Sequence, residues 1–600
     1  MTTKLPRRDE VPVALTWNLT TIFPNDDAWQ QSLDEVKQQA DQAAQVKGSL
    51  GDSAQALLTG LQKIFAVMRK FEKVYIYASL KADQDTTNTK YQAFNAQVES
   101  LGATIDSKLA FLEPEIIAIP NAKLQQFITS EPQLHIYQHL LDEITQNRDH
   151  VLPAEQEALL AAASDIFSAP RNTFDTLNDT DIEFGTITDE NGQQIQLSDG
   201  IYGKLIESTD RHVRKAAFQT LYKTYHDLRH TFAMTLASDV KVHNYDAKVH
   251  HYSDSRTAEM SHNHIPVSVY DTLVTTVNKH LDLLHHYVAL RKQILNVNQL
   301  HMYDMYVPLV GEPPLTYTYE AAQQEALKAL AVMGDDYLNH VKEIYNNRYI
   351  DVVENKGKRS GAYSGGGYDT NPFILLNWQD NLNNLYTLIH ETGHSVHSWY
   401  TNHNQPYIYG DYPIFVAEIA STTNENILTN YLLATQQDPK VRAYVLNYYL
   451  DGFKGTVFRQ TQFAEFEQYI HEADQNGTPL TAQMMSDFYA DLNAKYYGDA
   501  VERDPEIALE WSRIPHFYRD FYVYQYATGF ASASTLAHGI TTQKPQARDK
   551  YINFLKSGSS QDAITTMQKA GVNMLQADYL EDAFNVFAQR LTELEKILTK

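Results

Sequence analysis

Apolar residues recur at three- and four-residue steps over most of this 600-residue chain, and besides one gap only two short segments break the rhythm. That period gives each helix one apolar stripe, so the chain must stack helices on helices. Leu57, Leu58, Leu61, Ile64, Phe65 and Met68 are the first long example. Further helices are expected at 91–112, 122–130 and 153–167, then from Gly200 to about Arg348 with a break near 302–314, and again from Gln379 onward. The first exception, Asp181 to Ile187 and Gln193 to Leu197 around Asn191-Gly192, predicts a β-hairpin. The second runs from Gly357 to Asn377. Gly361 and Gly365-Gly366-Gly367 mark tight turns there, and Phe373-Ile374-Leu375-Leu376 reads as a short apolar strand. A phosphate loop is excluded, because that strand separates the glycines from the next helix and no Gly-Lys-Ser/Thr follows. The expected fold is mainly α, with a small β element beside the helix that follows it.

Composition narrows the partners. Hydrophobic residues make up 43% of the chain and charged residues 20%, which permits a large buried interior and excludes disorder. The formal net charge of −25 repels phosphate backbones and anionic lipid, so neither nucleic acid nor membrane is an expected partner. With no cysteine, disulfides, thiolate metal sites and cysteine nucleophiles are all excluded. The first residues hold no signal-peptide core, and no run approaches the ~18 apolar residues of a membrane span. A soluble cytoplasmic protein is expected.

Leu388-Ile389-His390-Glu391-Thr392-Gly393-His394 contains H-E-x-x-H, within the apolar stripe Leu382, Leu385, Tyr386, Ile389 and Val396. On a helix, positions i and i+4 lie one turn apart on one face, so His390 and His394 can reach one Zn²⁺. Glu391 projects about 100° round the helix, where it can take a proton from an activated water. Gly393 suits a point where another backbone comes close. His397 lies ~10.5 Å along the axis from His390, too far to share the ion, and is expected to pack or to support the ligands.

A catalytic zinc site wants a third protein ligand, commonly a carboxylate. The segment from Phe415 to Glu425 reads as a second helix, with Glu418 and Glu425 two turns apart on one face. Glu418 sits in an apolar stretch, where a carboxylate is costly unless neutralised, so it is preferred as ligand. Glu425 would then hold a ligand imidazole through its other nitrogen, although the reverse assignment stays open. Farther on, His516, Tyr522 and Tyr526 could donate to a carbonyl oxygen that gains charge during hydrolysis. Tyr522 and Tyr526 are expected one helical turn apart.

Together these segments resemble the oligoendopeptidase F branch of the thimet-type zinc metallopeptidases. The resemblance rests on Gly361-Ala-Tyr-Ser364 with Pro372 to Asn377, on the His390–His394 motif with His397, and on Phe415 to Thr422 with Asn424-Glu425. Ile514 to Tyr518, Tyr522 to Gly529 and Phe554 to Gly558 extend it, and Leu300 to Asp304 and Trp17-Asn-Leu match more weakly. It implies a large helical bilobed metallopeptidase with a deep channel between an N-terminal helical domain, residues 1–200, and a catalytic domain, residues 201–600. One zinc per chain would be held by His390, His394 and Glu418, with Glu391 as general base and His516, Tyr522 and a further tyrosine, Tyr524 or Tyr526, as transition-state donors. Phe373, Ile374, Leu375 and Leu376 would form the sheet edge on which a short peptide substrate lies extended. Endopeptidase action on oligopeptides follows. The alternatives are a zinc exopeptidase and an inactive peptide-binding scaffold; Glu391 speaks against the scaffold, since a structural site needs no base.

Overall fold

The computed structural model describes residues 4–311 and 315–599; the end of the expected break near 302–314 lies outside them. Helices dominate, joined by two small sheets. β1 (Thr186–Thr188) pairs antiparallel with β2 (Gln194–Gln196), as the hairpin pattern predicts. Asp189 closes its loop by accepting from the backbone N–H groups of Asn191 and Gln193, and Gly192 supplies the left-handed turn residue at φ 79°. β3 (Ile350–Asp351), β4 (Tyr363–Gly365) and β5 (Phe373–Leu375) form the second sheet, in the order β3-β5-β4. No helix among the described residues is long and apolar enough to cross a membrane.

The chain divides into two compact units, each built from three separate stretches. The first comprises Met1–Asp149, Leu315–Asn430 and Leu536–Gly571. Its N-terminal part stacks the helices Asp26–Ala44, Ala54–Asp83 and Thr89–Leu109. Leu57, Leu58, Leu61 and Ile64 are buried as their spacing predicts, whereas Met68 is 38% exposed. Periodicity identifies a face but not how far the covering neighbour extends along it.

The second sheet is tied to the N-terminal segment of the same unit. The Trp17 indole N–H donates to the Ile374 carbonyl at 2.7 Å, and its backbone N–H donates to Asp351 at 3.2 Å. The fully buried Asp351 carboxylate also receives Arg8 Nη1 at 2.8 Å and Lys358 Nζ at 2.7 Å. Burial alone would raise the Asp351 carboxyl, but the Arg8 and Lys358 cations hold it below the usual carboxylate range.

The second unit comprises His150–Pro314, Tyr431–Thr535 and Val572–Lys600. The Leu300–Asp304 segment is pinned inside it. Asp304 is fully buried and paired with Arg211 at 2.9 Å and Arg214 at 2.7 Å, while the Met302 backbone N–H donates to Asp504 at 2.8 Å.

Asp351→Asn should destabilise the protein by about 3–5 kcal/mol in urea unfolding at pH 7, because Arg8 and Lys358 would lose a buried counter-charge. As the folded pKa is depressed, this contribution should be complete above about pH 4 and fade on further acidification. Equal wild-type and variant midpoints at pH 7 would contradict the ion cluster's role.

Candidate active site

The motif helix spans Leu382–Asn404 and starts at Asn381, whose side chain accepts from the Asn384 N–H at 2.8 Å. Leu382, Leu385, Tyr386, Leu388, Ile389 and Val396 are each at most 1% exposed, so one face is locked in the core. The second helix, Ile414–Thr435, runs alongside it. Tyr386 bonds Thr429 at 2.9 Å, Asn424 donates to the Ile389 carbonyl at 3.2 Å, and Gly393 faces Ser421. As numbering rises along one helix it falls along the other, so the two cross antiparallel. A Cβ on Gly393 would lie 2.6 Å from Ser421 Cα and 2.9 Å from the Ala420 carbonyl oxygen. Only glycine permits this approach.

The crossing brings three ligand atoms together. His390 Nε2 lies 3.2 Å from His394 Nε2, and both lie 3.3 Å from Glu418 Oε2. Tetrahedral coordination at zinc–ligand lengths of ~2.0–2.1 Å separates neighbouring ligand atoms by about 3.3 Å, so this triangle fits one ion. Glu425 sits behind it, accepting from His390 Nδ1–H at 2.7 Å and directing Nε2 inward. Burial would lower the His390 pKa, yet Glu418 and Glu425 push it up to about 10. Partial loss of hydration would raise Glu418, but the paired His390 and His394 outweigh it and carry that carboxyl well below the usual range.

Glu391 is 6% exposed, and its charge is felt by all three candidate ligands. Burial raises its carboxyl, against the pull of His390 and His394 and a bond from the Ser364 backbone. Ser364, in β4, also bonds Ser395 of the motif helix at 2.8 Å. His397 takes no part in the triangle: it is buried, stacked on Tyr412 at 3.7 Å between ring centroids and packed near Phe554. Phe554 to Gly558 anchors the far end of the helix, where Thr401 donates to the Leu555 carbonyl at 3.0 Å and Gln405 to the Lys556 carbonyl at 2.7 Å.

Three expectations need correction. Glu418 is not buried: its side chain is 53% exposed, while Phe415, Val416, Ile419 and Ala420 take the core-facing positions. Its link to the histidines therefore rests on geometry, not on the cost of an apolar setting. Phe373, Ile374, Leu375 and Leu376 do not form a sheet edge, since β5 is the middle strand, paired on both sides, and all four are at most 1% exposed. The outer strands are β3 and β4, of two and three residues, too short for any alternation to reveal. Tyr522 precedes the helix, which begins at Tyr524, so it is not one helical turn from Tyr526.

In the second unit His516, Tyr522 and Tyr526 nonetheless cluster. His516 Nε2 lies 3.2 Å from the Tyr526 hydroxyl, and the Tyr522 and Tyr526 ring centroids are 5.4 Å apart. Burial and the nearby Arg519 and Arg459 lower the His516 pKa, which keeps the imidazole neutral. Tyr524 is 2% exposed and packs against Tyr270, which leaves Tyr526 as the partner of His516.

Residues 204–586 match the model of Peptidase family M3, and residues 115–184 match that of Oligopeptidase F. The chain belongs to peptidase family M3. It is 49% identical to Oligopeptidase PepF of Bacillus subtilis, over 100% of this chain and 89% of that one. It is also 46% identical to the plasmid Oligoendopeptidase F of Lactococcus lactis subsp. cremoris, over 99% of both. Among solved structures, oligoendopeptidase-F from Enterococcus faecium aligns at 48% identity with a TM-score of 0.75, covering 96% of this chain and 99% of that one. A structure from Chlamydophila abortus aligns at 33% identity with a TM-score of 0.94, covering 99% and 100%.

Membership in family M3 implies zinc, and the donor set of two imidazoles and a carboxylate suits that ion. Gly393→Ala should drive the two helices apart at an overpacking cost of about 1–3 kcal/mol. Zn²⁺ affinity, measured by chelator competition, should fall roughly 5- to 150-fold, with helical content unchanged. Undiminished affinity would show that the crossing does not set the triangle.

Proposed function

We propose that this M3 peptidase is a zinc endopeptidase of the cytoplasm that hydrolyses internal bonds of short peptides, with one catalytic zinc per chain. The observation that carries the reading is the triangle of His390 Nε2, His394 Nε2 and Glu418 Oε2, with edges of 3.2–3.3 Å and a buried carboxyl, Glu391, beside it. The names of the relatives, oligopeptidase and oligoendopeptidase, support the substrate class. The family matches at 115–184 and 204–586 support an N-terminal helical region of residues 1–200 followed by a catalytic region of 201–600, a division along the sequence that the two interleaved compact units do not follow.

His390, His394 and Glu418 would hold the ion, and Glu425 would fix the His390 ring through Nδ1. Zinc, when bound, supplies a Lewis acid that polarises the scissile carbonyl and lowers the pKa of water towards neutrality. Glu391 takes a proton from the attacking water and passes it to the leaving amine, a task for which a carboxyl raised by burial is suited. His516, Tyr522 and Tyr526 donate hydrogen bonds to the carbonyl oxygen as it gains charge. The free edge of β4 receives the substrate backbone, which favours extended chains and reads few side chains.

Glu391→Ala should retain zinc yet lose about 10²–10⁴ in kcat, measured with a quenched peptide alongside metal analysis. Glu418→Ala should lose the ion, and Glu425→Ala should weaken its binding by about 10–100-fold. A peptide blocked at both termini separates the enzyme readings: an endopeptidase cleaves it and an exopeptidase does not. Bound zinc with no turnover of any peptide would falsify the enzymatic reading and favour a scaffold.

A further inference from the structure

The second unit holds another convergence of metal-ligating side chains, drawn from three distant stretches. His243 lies on the helix Arg229–Val249, His471 on the helix Arg459–Gln475, and Asp520 in the turn just before Tyr522. His243 Nδ1 is 3.2 Å from His471 Nε2, and Asp520 Oδ1 is 3.4 Å from each. The edges of 3.2, 3.4 and 3.4 Å nearly reproduce the 3.2, 3.3 and 3.3 Å of the family site. Both match the ~3.3 Å edge of tetrahedral zinc coordination.

Each imidazole is also oriented from behind. His471 Nδ1–H donates to the Glu467 carbonyl at 2.9 Å, one turn earlier on its helix, which leaves the Nε2 lone pair facing Asp520. Asp239, one turn before His243, places Oδ2 3.4 Å from His243 Nε2 on the far side of that ring. A carboxylate or carbonyl behind a histidine is the usual support for a metal ligand, and Glu425 stands in the same relation to His390.

The cluster lacks donors. Asp520 Oδ1, Asp239 Oδ2 and Glu467 Oε2 are all buried and receive no well-aligned hydrogen bond, the imidazole nitrogens near the first two standing 3.4 Å away, and Asp239, Glu467 and His471 are at most 4% exposed. Three such oxygens in one region are expensive as carboxylates unless a metal cation or a proton offsets them. The chain also holds Phe521 at φ 40°, a left-handed conformation rare for an aromatic residue, with its N–H on Glu467 Oε1 at 2.9 Å. That conformation immediately follows Asp520.

We propose that His243, His471 and Asp520 form a second metal site, for Zn²⁺ or a similar borderline divalent ion, that clamps the His516–Tyr526 segment to two helices of its own unit. Asp520 lies four residues after His516 and two before Tyr522, so the ion would act as a positioning element for the candidate donors. The inference does not depend on the function assigned to the His390–His394–Glu418 site.

The test is metal stoichiometry on the full chain. Wild type, H394A, D520N and H243A are stripped with chelator, reloaded with Zn²⁺ or Co²⁺, and measured by elemental analysis and visible absorption. Wild type should hold one equivalent more than D520N or H243A, and H394A should keep that equivalent. Co²⁺-loaded H394A should show ligand-field bands absent from H394A/D520N, and Zn²⁺ should raise the melting temperature of H394A by several degrees but not that of the double variant. Equal metal content in wild type, D520N and H243A, or no ion bound by H394A, would overturn the proposal.

Discussion

Everything at the M3 site depends on how closely two antiparallel helices approach at Gly393. A single missing Cβ lets the Leu382–Asn404 backbone rest against Ser421 and Ala420. His394 follows Gly393 directly and His390 precedes it by three residues, while Glu418 precedes Ser421 by three. Setting one backbone separation therefore sets the distances among all three donor atoms. The polar links at Tyr386–Thr429 and Asn424–Ile389 repeat the same crossing a turn or two away, so the helices have little freedom to slide. The apolar stripe below them, each member worth roughly 1.5–3 kcal/mol when fully buried, stabilises that arrangement without contributing chemistry.

His390 shows how such a crossing orders charge. Its two ring nitrogens address different residues of one helix: Nε2 faces Glu418 and Nδ1 faces Glu425, two turns farther along. One carboxylate thus converges with the histidines and the other fixes the tautomer. The seven-residue spacing that puts both on one helical face makes this division possible, and the side-chain directions decide which takes which part.

Local patterns were legible in the sequence; pairings between distant segments were not. The H-E-x-x-H helix and its buried stripe follow from a 3.6-residue period, and the Asn191-Gly192 hairpin follows from turn chemistry. Strand order did not follow. Phe373–Leu376 reads as an apolar strand whether it is central or at an edge, because burial on both faces gives the same composition. Only pairing with both Ile350–Asp351 and Tyr363–Gly365 distinguishes the two. Glu418 misled for a related reason. Apolar neighbours in sequence imply burial only if they share its direction, and here they point to other sides of the helix. The substitution of a turn for a helical start at Tyr522 arises from the capture of its loop, through Phe521 and Asp520, by residues 54 and 49 positions earlier.

The two triangles differ in a way that their nearly equal dimensions hide. Glu418 is 53% exposed, so a metal held there keeps a face open to incoming molecules. Asp520 is 18% exposed and His471 2%, which leaves little access. Catalytic zinc sites keep an open coordination position and structural ones are closed, so accessibility separates a reacting centre from a clamp when ligand geometry does not. The surrounding carboxyls agree with this division. Near His390 and His394 there is a single buried carboxyl, Glu391, placed where a proton can be taken up and released. Around His243 and His471 the carboxyls Asp239 and Glu467 lie on the ligand-bearing helices themselves, each four residues before a histidine; the Asp239 carboxyl faces His243, while Glu467 meets His471 through its backbone carbonyl. On the proposed reading, the same donor chemistry at the same spacing would serve reaction in one unit and rigidity in the other, according to which side of the triangle water can reach.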